Sequence, residues 1–168
     1  MQSSPRVDTR LAGAHSRKSQ GGATPRTSTA GRRDGLALAP IRVLVVDDEP
    51  DSRDLTCTVL TAQGMSVQAA ESAAEALELL AAYTPDVILS DIGMPAEDGY
   101  ALMRRVRNLE SSAKRCIPSI ALTAFVREQD RQLAFAAGFN LHLPKPVDIT
   151  ALVQSVNALA RRTNKENP

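Results

Sequence analysis

The sequence has few cysteines and no long run of apolar residues. Its two cysteines, Cys57 and Cys116, are too few for a disulfide framework and fit no metal-binding spacing, so we interpret both as reduced, buried thiols. No apolar run reaches the roughly 18 to 20 residues that cross a bilayer, and the N-terminus lacks the apolar segment of a secretory signal. We therefore expect a cytoplasmic protein that does not insert into membranes.

Residues 1–39 are poor in large apolar residues and in acidic residues. They carry seven Lys/Arg against two acids, whereas residues 40–168 carry thirteen against seventeen. A Ser/Thr/Gly/Arg-rich segment of this kind cannot bury enough apolar surface to offset the entropy of ordering, which predicts a disordered basic tail. The tail also has no Phe, Tyr or Trp to stack on bases, so we expect no direct DNA binding.

From residue 40 onward, strand and helix patterns alternate five times. The predicted strands are 41–46, 65–70, 86–90, 118–123 and 140–144, and the predicted helices are 51–64, 72–83, 99–109, 128–138 and 148–160. Short connections and right-handed crossovers then predict a parallel sheet covered by helices on both faces. This is an α/β class, the flavodoxin-like doubly wound (βα)5 fold with strand order 2-1-3-4-5. We place the domain at 40–162 and a short C-terminal tail at 163–168.

Several side chains predict how the helices begin, end and pack. In the first helix, Leu55, Val59 and Ala62 share one face, which we expect to be buried, and Gly64 is expected to end the helix. The second and last helices begin with cap residues. Ser72 has Glu75 three residues later, which is capping-box spacing, and Asp148 is a predicted N-cap.

Acidic residues follow two strands that should be neighbours in the sheet. Asp47 and Asp48 come directly after strand 1, and Asp91 follows strand 3. Because adjacent strands lie about 4.8 Å apart, three carboxylates should converge on one point. Their mutual repulsion would be relieved by a hard divalent cation, which we expect to be Mg²⁺ or Mn²⁺.

The other two strand ends carry a hydroxyl and an amine. Strand 4 ends at Thr123, and Lys145 follows strand 5. Together with the metal they would form a phosphoryl site, in which Asp91 is the candidate nucleophile and the lysine and hydroxyl hold phosphoryl oxygens. The loop after Asp91 is rich in turn residues, which allows a backbone carbonyl to approach the metal.

Residues 41 to about 161 resemble the receiver domain of two-component response regulators. Four ordered motifs carry the resemblance: "VLVVDDEP", "DVILSDIGMPAEDG", "IALTA" and "LPKP". Their spacings are 43 residues from Asp48 to Asp91, 32 from there to Thr123 and 22 from there to Lys145, and this combination is far more specific than any single motif. The stretch "GFNLHLPKP" is also similar to receivers attached to hybrid sensor histidine kinases.

The resemblance implies a phosphorelay function and a ligand set. Asp91 would accept a phosphoryl group from a phosphohistidine on a sensor histidine kinase or a histidine phosphotransfer protein. Asp48, Asp91 and the carbonyl of Gly93 would bind the metal directly, while Asp47 would act through water. The family usually has a polar side chain where this sequence has Gly93, which leaves the rate of dephosphorylation open.

The resemblance also implies a conformational switch. His142 occupies the position of the switch residue, which turns inward when Thr123 moves toward the phosphoryl group. A cis bond between Lys145 and Pro146 would aim the ammonium group into the site. The signal would emerge on the face formed by the helix after strand 4, strand 5 and the last helix. From its position two residues past Thr123, Phe125 is predicted either to shade the site from water or to pack in the core or at the rim.

The C-terminal sequence indicates how the signal would leave this protein. Only "TNKENP" follows the last helix, so we expect output through a partner protein, with the chain acting as a single-domain regulator or as a piece of a larger one. We expect that the protein is not an enzyme in the usual sense, beyond promoting its own phosphorylation and dephosphorylation.

The main alternative is an aspartyl-phosphate phosphatase or phosphotransferase acting on a small substrate, although the DxD pattern typical of such enzymes is missing after strand 1. A flavodoxin-like cofactor binder would need a loop there that attracts phosphate, and "DDEPDS" repels it. The complete set of acids and lysine also argues against a degenerate receiver that signals without phosphate.

Overall fold

A computed structural model describes residues 39–124 and 127–166 of the chain. The predicted disordered tail therefore lies outside the described residues except for Ala39, and so does Phe125. None of the helices in the described part combines the length and the apolar character needed to cross a membrane.

Five parallel strands form one sheet. They are β1 (Arg42–Val46), β2 (Ser66–Ala70), β3 (Val87–Asp91), β4 (Ser119–Thr123) and β5 (Leu141–Pro144). The strand order is β2-β1-β3-β4-β5, and every neighbouring pair is parallel. This order confirms the predicted flavodoxin-like doubly wound fold, because the chain reverses its direction of winding once, between β2 and β3.

Helices connect the strands and follow the last one. They are α1 (Pro50–Ala62), α2 (Ala73–Ala82), α3 (Gly99–Arg107), α4 (Ser112–Arg115), α5 (Glu128–Ala137) and α6 (Ile149–Glu166). The short helix α4 is absent from the sequence prediction, since a single turn carries too little periodicity to be detected. The backbone of α6 extends past the predicted helix end at residue 160 and the predicted domain boundary at 162.

The hydrophobic core lies on both faces of the sheet. Alternate residues of β1 point to opposite faces: Leu44 belongs to the core cluster that includes residues of α2, α3 and α5, whereas Val43 belongs to the cluster that includes residues of α1 and α6. Both side chains are fully buried, as are Val45 and Val46, whereas Arg42 at the start of the strand is exposed. Burying one such side chain contributes about 1.5 to 3 kcal/mol, so this two-sided burial holds the strand ends, and the polar residues after them, in fixed positions.

The buried face of α1 differs from the prediction. Leu55 is 62% exposed, whereas Thr56 and Leu60 are buried against the sheet. The prediction was wrong because it followed the largest apolar side chain, while the helix packs through a small threonine one position further on. Gly64 ends the helix as predicted, with φ of 80° and a backbone hydrogen bond from the Met65 N–H to the Leu60 carbonyl.

Two of the predicted helix caps are present. The Ser72 hydroxyl accepts a hydrogen bond from the Glu75 N–H at 3.2 Å, and Asp148 accepts one from the Ala151 N–H at 2.7 Å. The capping box is incomplete, because the Glu75 carboxylate accepts from the N–H of Glu71 instead of Ser72.

The cysteines are only partly as predicted. Cys57 is half-buried on α1, whereas Cys116 is exposed at the end of α4, so the prediction of two buried thiols was wrong for Cys116. The reason is that α4 lies on the surface and has no buried residue of its own.

Candidate functional site

Three carboxylates meet at the carboxyl edge of the sheet. In the parallel pairing of β1 and β3, Val46 lies opposite Ser90, so Asp47 and Asp91 follow at neighbouring positions. One carboxylate oxygen from each of Asp47, Asp48 and Asp91 lies within 4.8 Å of the others. Asp47 and Asp91 are buried, and Asp48 is more exposed.

Lys145 supplies the positive charge of the site. Its Nζ lies 2.9 Å from Asp47 Oδ2 and 3.3 Å from Asp91 Oδ2. Its backbone N–H donates to the Thr123 carbonyl at 2.7 Å, which ties the residue to the end of β4, and the following bond to Pro146 is cis. Burial, the largest influence, lowers the pKa of Lys145, but the hydrogen bond to Asp47 and the charges of both aspartates outweigh it, so the pKa is raised.

The Asp47 carboxylate is held by several donors. Its Oδ1 accepts from the Glu49 N–H at 3.0 Å, and its Oδ2 accepts from the Ser52 hydroxyl at 2.7 Å as well as from Lys145. Its backbone carbonyl accepts from the Arg53 guanidinium at 2.7 Å. Asp47 is therefore an oriented group whose two carboxylate oxygens both accept hydrogen bonds from the protein.

The loop after Asp91 folds back closely on that residue. A Cβ at Gly99 would collide with the Asp91 carbonyl oxygen and would lie 2.9 Å from the Ile92 Cα, so only glycine fits there. Asp98 caps α3 by accepting from the Ala101 N–H at 2.7 Å. The start of α3 thus holds the loop beside Asp91.

Gly93 leaves space beside the Asp91 carboxylate. Gly93 is exposed, and a Cβ built on it would lie 3.7 Å from Asp91 Oδ2, which is ordinary van der Waals contact. A side chain would therefore fit at this position, and its absence leaves this flank of Asp91 without a polar group from Gly93.

Thr123 and His142 lie at different distances along the sheet from the site edge. Thr123 is buried at the end of β4, one position past Leu122, which pairs with Asp91. His142 lies within β5 opposite Ala121 and is half-buried, and its Nε2 has no hydrogen-bond partner among the described residues. The structure therefore brings Thr123 to the site edge and leaves His142 behind it, in the middle of its strand.

Some residues around the site were not singled out from the sequence. Ser52, Arg53 and Asp98 all contact the site or its loop. Asp98 precedes the glycine that starts α3, which is a detectable cap signal. The contacts of Ser52 and Arg53 depend on the direction in which the first turn of α1 leaves the strand, which local sequence does not specify.

The charge of the site favours a hard cation. Asp47, Asp48 and Asp91 bring three carboxylates together against the single ammonium of Lys145. Carboxylate oxygens are the ligands preferred by hard divalent ions. The cluster could therefore hold a metal, and its donors fit Mg²⁺.

The fold and the site define a parallel α/β protein with an acidic, lysine-containing centre at the carboxyl edge of the sheet. Residues 43–157 match the sequence profile described as the response regulator receiver domain. This match covers more than half of the chain, so the protein belongs to the response regulator receiver domain family.

Curated relatives include response regulators and a sensor kinase. The chain is 47% identical over 119 residues to an uncharacterized 14.6 kDa protein in the sodA1 3' region of Leptolyngbya boryana, covering 71% of this chain and 89% of that protein. It is 34% identical to the response regulator MprA of Mycolicibacterium vanbaalenii, covering 76% of this chain and 54% of that protein. It is also 34% identical to the sensor histidine kinase RcsC of Salmonella typhi, covering 73% of this chain and 13% of that protein. The chain thus spans about half the length of MprA and a small part of RcsC.

Solved structures give the same result. The receiver domain of the Francisella response regulator 1452 matches with a TM-score of 0.67 and 30% identity, covering 73% of this chain and 98% of that one. The chemotaxis response regulator CheY4 of Vibrio cholerae matches with a TM-score of 0.66 and 28% identity, covering 71% and 98%. Residues 43–157 are therefore a receiver domain of two-component signalling, which belongs to a family of signalling domains.

Proposed function

We propose that Asp91 is the phospho-acceptor of this receiver. The observation that carries the proposal is the position of its carboxylate, 3.3 Å from the Lys145 ammonium and within 4.8 Å of the Asp47 and Asp48 carboxylates. The donor would be a phosphohistidine on a sensor histidine kinase or a histidine phosphotransfer protein in the cytoplasm. We assign the receiver to residues 40–162.

The acidic cluster would hold Mg²⁺ during this transfer, with Mn²⁺ as a substitute. Asp48, Asp91 and the carbonyl of Gly93 would be its direct ligands, and Asp47 would act through water. When bound, the metal would offset the negative charge that the carboxylates and the incoming phosphoryl group bring together.

The transfer step uses the side chains at the strand ends. A carboxylate oxygen of Asp91 attacks the phosphorus, an O–P bond forms, and the P–N bond to the partner's imidazole breaks with its electron pair remaining on nitrogen. Lys145 turns from Asp47 toward a phosphoryl oxygen, and the Thr123 hydroxyl holds another. The phosphorylated state would then change the face made by α5, β5 and α6, with His142 as the switch residue.

Intact-protein mass tests the proposal. The protein is incubated with acetyl phosphate and MgCl₂, beside the same mixture with EDTA, beside Asp91→Asn and beside Asp54→Asn as a matched control. Asp54 is exposed on α1, so its variant should behave as wild type. We expect a single phosphoryl gain in the wild type and in the control, and none with EDTA or in Asp91→Asn. A gain that persists in Asp91→Asn, or no gain in a folded protein that binds Mg²⁺, would refute the assignment.

A further inference from the structure

Ser52 lies next to the site but has no role in the transfer described above. It is half-buried in the first turn of α1, and its hydroxyl donates to Asp47 Oδ2 at 2.7 Å. The same oxygen accepts from the Lys145 ammonium at 2.9 Å. Two donors, one on α1 and one after β5, therefore share one carboxylate oxygen of a residue that is 1% exposed.

The two donors differ in what happens to them during the reaction. In the proposed transfer, Lys145 turns toward the phosphoryl group on Asp91, so Asp47 Oδ2 loses its cationic partner. A buried carboxylate without partners is costly and would rotate or shift to find new ones. Ser52 belongs to the first turn of α1, which directly follows the strand end that carries Asp47, so we expect its hydroxyl to stay beside Asp47.

We propose, on the basis of the proposed function, that Ser52 is a positioning residue that holds Asp47 in its metal-facing orientation, beside Lys145 in the resting site and without it once Lys145 has turned away. Together with the Glu49 N–H, which donates to Asp47 Oδ1 at 3.0 Å, Ser52 fixes both carboxylate oxygens from the same end of one helix. Asp47 then remains oriented toward a metal-bound water while the lysine moves. Groups that orient metal ligands in this way affect metal affinity by about tenfold or more when they are removed.

Ser52→Ala separates this role from a purely structural one. Alanine favours helix more than serine does, but the variant loses a hydrogen bond to the buried Asp47 carboxylate, and this loss outweighs the gain in helix propensity. We therefore expect a somewhat lower melting temperature, and Mg²⁺ binding is measured at a temperature where denaturation shows that the variant is folded. Ser52→Thr restores a hydroxyl at the same position. Thr58→Ala, on the exposed face of the same helix, is the matched control for loss of a hydroxyl.

The first measurement is a titration with Mg²⁺, in which the amide NMR shift of Glu49 reports binding because its N–H donates to Asp47. We expect the dissociation constant for Mg²⁺ to rise about tenfold in Ser52→Ala, to return toward the wild-type value in Ser52→Thr, and to be unchanged in Thr58→Ala. An affinity within twofold of wild type in Ser52→Ala would overturn the proposal, as would a loss of affinity that Ser52→Thr does not restore in a folded protein.

The second measurement is the rate of phosphorylation by acetyl phosphate as a function of Mg²⁺ concentration. We expect Ser52→Ala to need about tenfold more Mg²⁺ for half-maximal rate and to approach the wild-type rate at saturation. An unchanged Mg²⁺ requirement with a lower maximal rate would refute the positioning role. If the wild type binds Mg²⁺ but gains no phosphoryl group, the proposed function fails, while the binding measurement on Ser52 still gives its own answer.

Discussion

Lys145 balances the charge of the site before any metal or phosphoryl group arrives. Because its pKa is raised, the lysine is charged throughout the neutral range. The stability that its ion pairs contribute is present in full below the pKa of lysine in the unfolded chain, and it is lost only as pH rises through the higher folded value. The ion pairs of Lys145 with Asp47 and Asp91 therefore persist at neutral pH.

Replacing Lys145 with glutamine should make stability depend on metal. Lys145→Gln leaves Asp47 and Asp91 close together without a cation, and we expect the free energy of unfolding in EDTA to fall by about 2 kcal/mol, less than for a fully buried pair because the lysine is partly exposed. Added MgCl₂ should recover most of this loss. Urea denaturation with and without Mg²⁺ measures both effects.

The matched control is another lysine with a fixed contact. Lys114 donates to the Ala81 carbonyl at 2.7 Å and has no contact with the acidic site. Lys114→Gln should lower stability slightly and by the same amount with or without Mg²⁺. Equal Mg²⁺ dependence in the two variants would contradict the assigned role of Lys145.

Gly93 should influence the lifetime of the phosphorylated state. Since a Cβ fits beside the Asp91 carboxylate, Gly93→Asn can place an amide where it would orient an attacking water, and we expect hydrolysis of the aspartyl phosphate to accelerate by about tenfold. Gly93→Ala adds the Cβ without the amide and should leave the lifetime near that of wild type. The loss of phosphoryl mass after removal of the donor measures both rates, and equal acceleration in the two variants would mean that the polar group is not the cause.

The two thiols should react at different rates. Burial, together with the charge of Asp54, raises the pKa of Cys57, so its reactive thiolate is scarce at pH 8, whereas Cys116 is exposed. We expect a thiol reagent at pH 8 to modify Cys116 first and Cys57 only slowly, with the rate at Cys57 rising as pH increases. Peptide mapping of partly modified protein identifies the order, and comparable rates at both positions would contradict it.

At the scale of elements, the positions of the helices along the sequence were easier to predict than the faces that they bury. In α3 the buried face is clear, because Leu102 and Val106 lie on the single apolar stripe of a strongly amphipathic helix. In α1 the pattern is ambiguous: Leu55 marks one face and Leu60 another, and contact with the sheet selects the face that contains the small Thr56. Tertiary packing decides such cases, and local sequence cannot.

Arg107 connects several elements at the opposite end of the sheet from the site. Its guanidinium donates to the carbonyls of Arg115, Ile117 and Gly138 and to the hydroxyl of Ser119, at distances of 2.6, 2.8, 2.7 and 2.8 Å. These contacts join the end of α3 to the end of α4, the start of β4 and the residue after α5. Burial lowers the pKa of Arg107, but the group stays charged at neutral pH.

Removing the Arg107 guanidinium should therefore destabilise the fold without changing the chemistry. We expect Arg107→Ala to lower the free energy of unfolding by about 3 kcal/mol, because several carbonyl groups lose their donor at once. Arg107→Lys should recover only part of this loss, since an ammonium cannot reproduce the planar set of donors. Arg104→Ala, which is exposed on the same helix, is the control and should be near neutral.

Denaturation and Mg²⁺ binding distinguish this role from one in the site. The folded fraction of Arg107→Ala should bind Mg²⁺ as wild type does. A large loss of Mg²⁺ affinity in folded Arg107→Ala, or stability equal to that of wild type, would be inconsistent with a structural connection confined to the far end of the sheet.

At the scale of the whole molecule, the topology was predictable because it follows from repeated simple signals. Five apolar strand patterns and right-handed crossovers leave few arrangements, and the polar residues after strands 1, 3, 4 and 5 then fall on one edge. The contacts of Ser52 with Asp47, and of Arg107 across four elements, were not predictable. They join side chains through angles between elements, which the sequence pattern does not encode.

The same architecture suggests how phosphorylation at Asp91 would reach a distant surface. Thr123 ends β4 beside the site, its carbonyl accepts the Lys145 N–H, and β4 pairs with β5, which contains His142. A shift of the Thr123 side chain toward a phosphoryl group would open space behind it, into which the half-buried His142 ring could move. Because packed interiors favour discrete arrangements, we expect two populations of His142 and not a gradual displacement.

NMR spectra of the His142 imidazole before and after phosphorylation by acetyl phosphate test this coupling. We expect the ring signals and the amides of α5 to shift in the wild type and to stay unchanged in Asp91→Asn. Thr123→Ala should still gain the phosphoryl group, more slowly, while the His142 signals respond less, because the side chain whose movement makes room for the ring is shortened. If the shifts remain confined to the loops around Asp91, or if His142 responds fully in Thr123→Ala, the pathway through β4 and β5 is wrong and the signal leaves the site by another route.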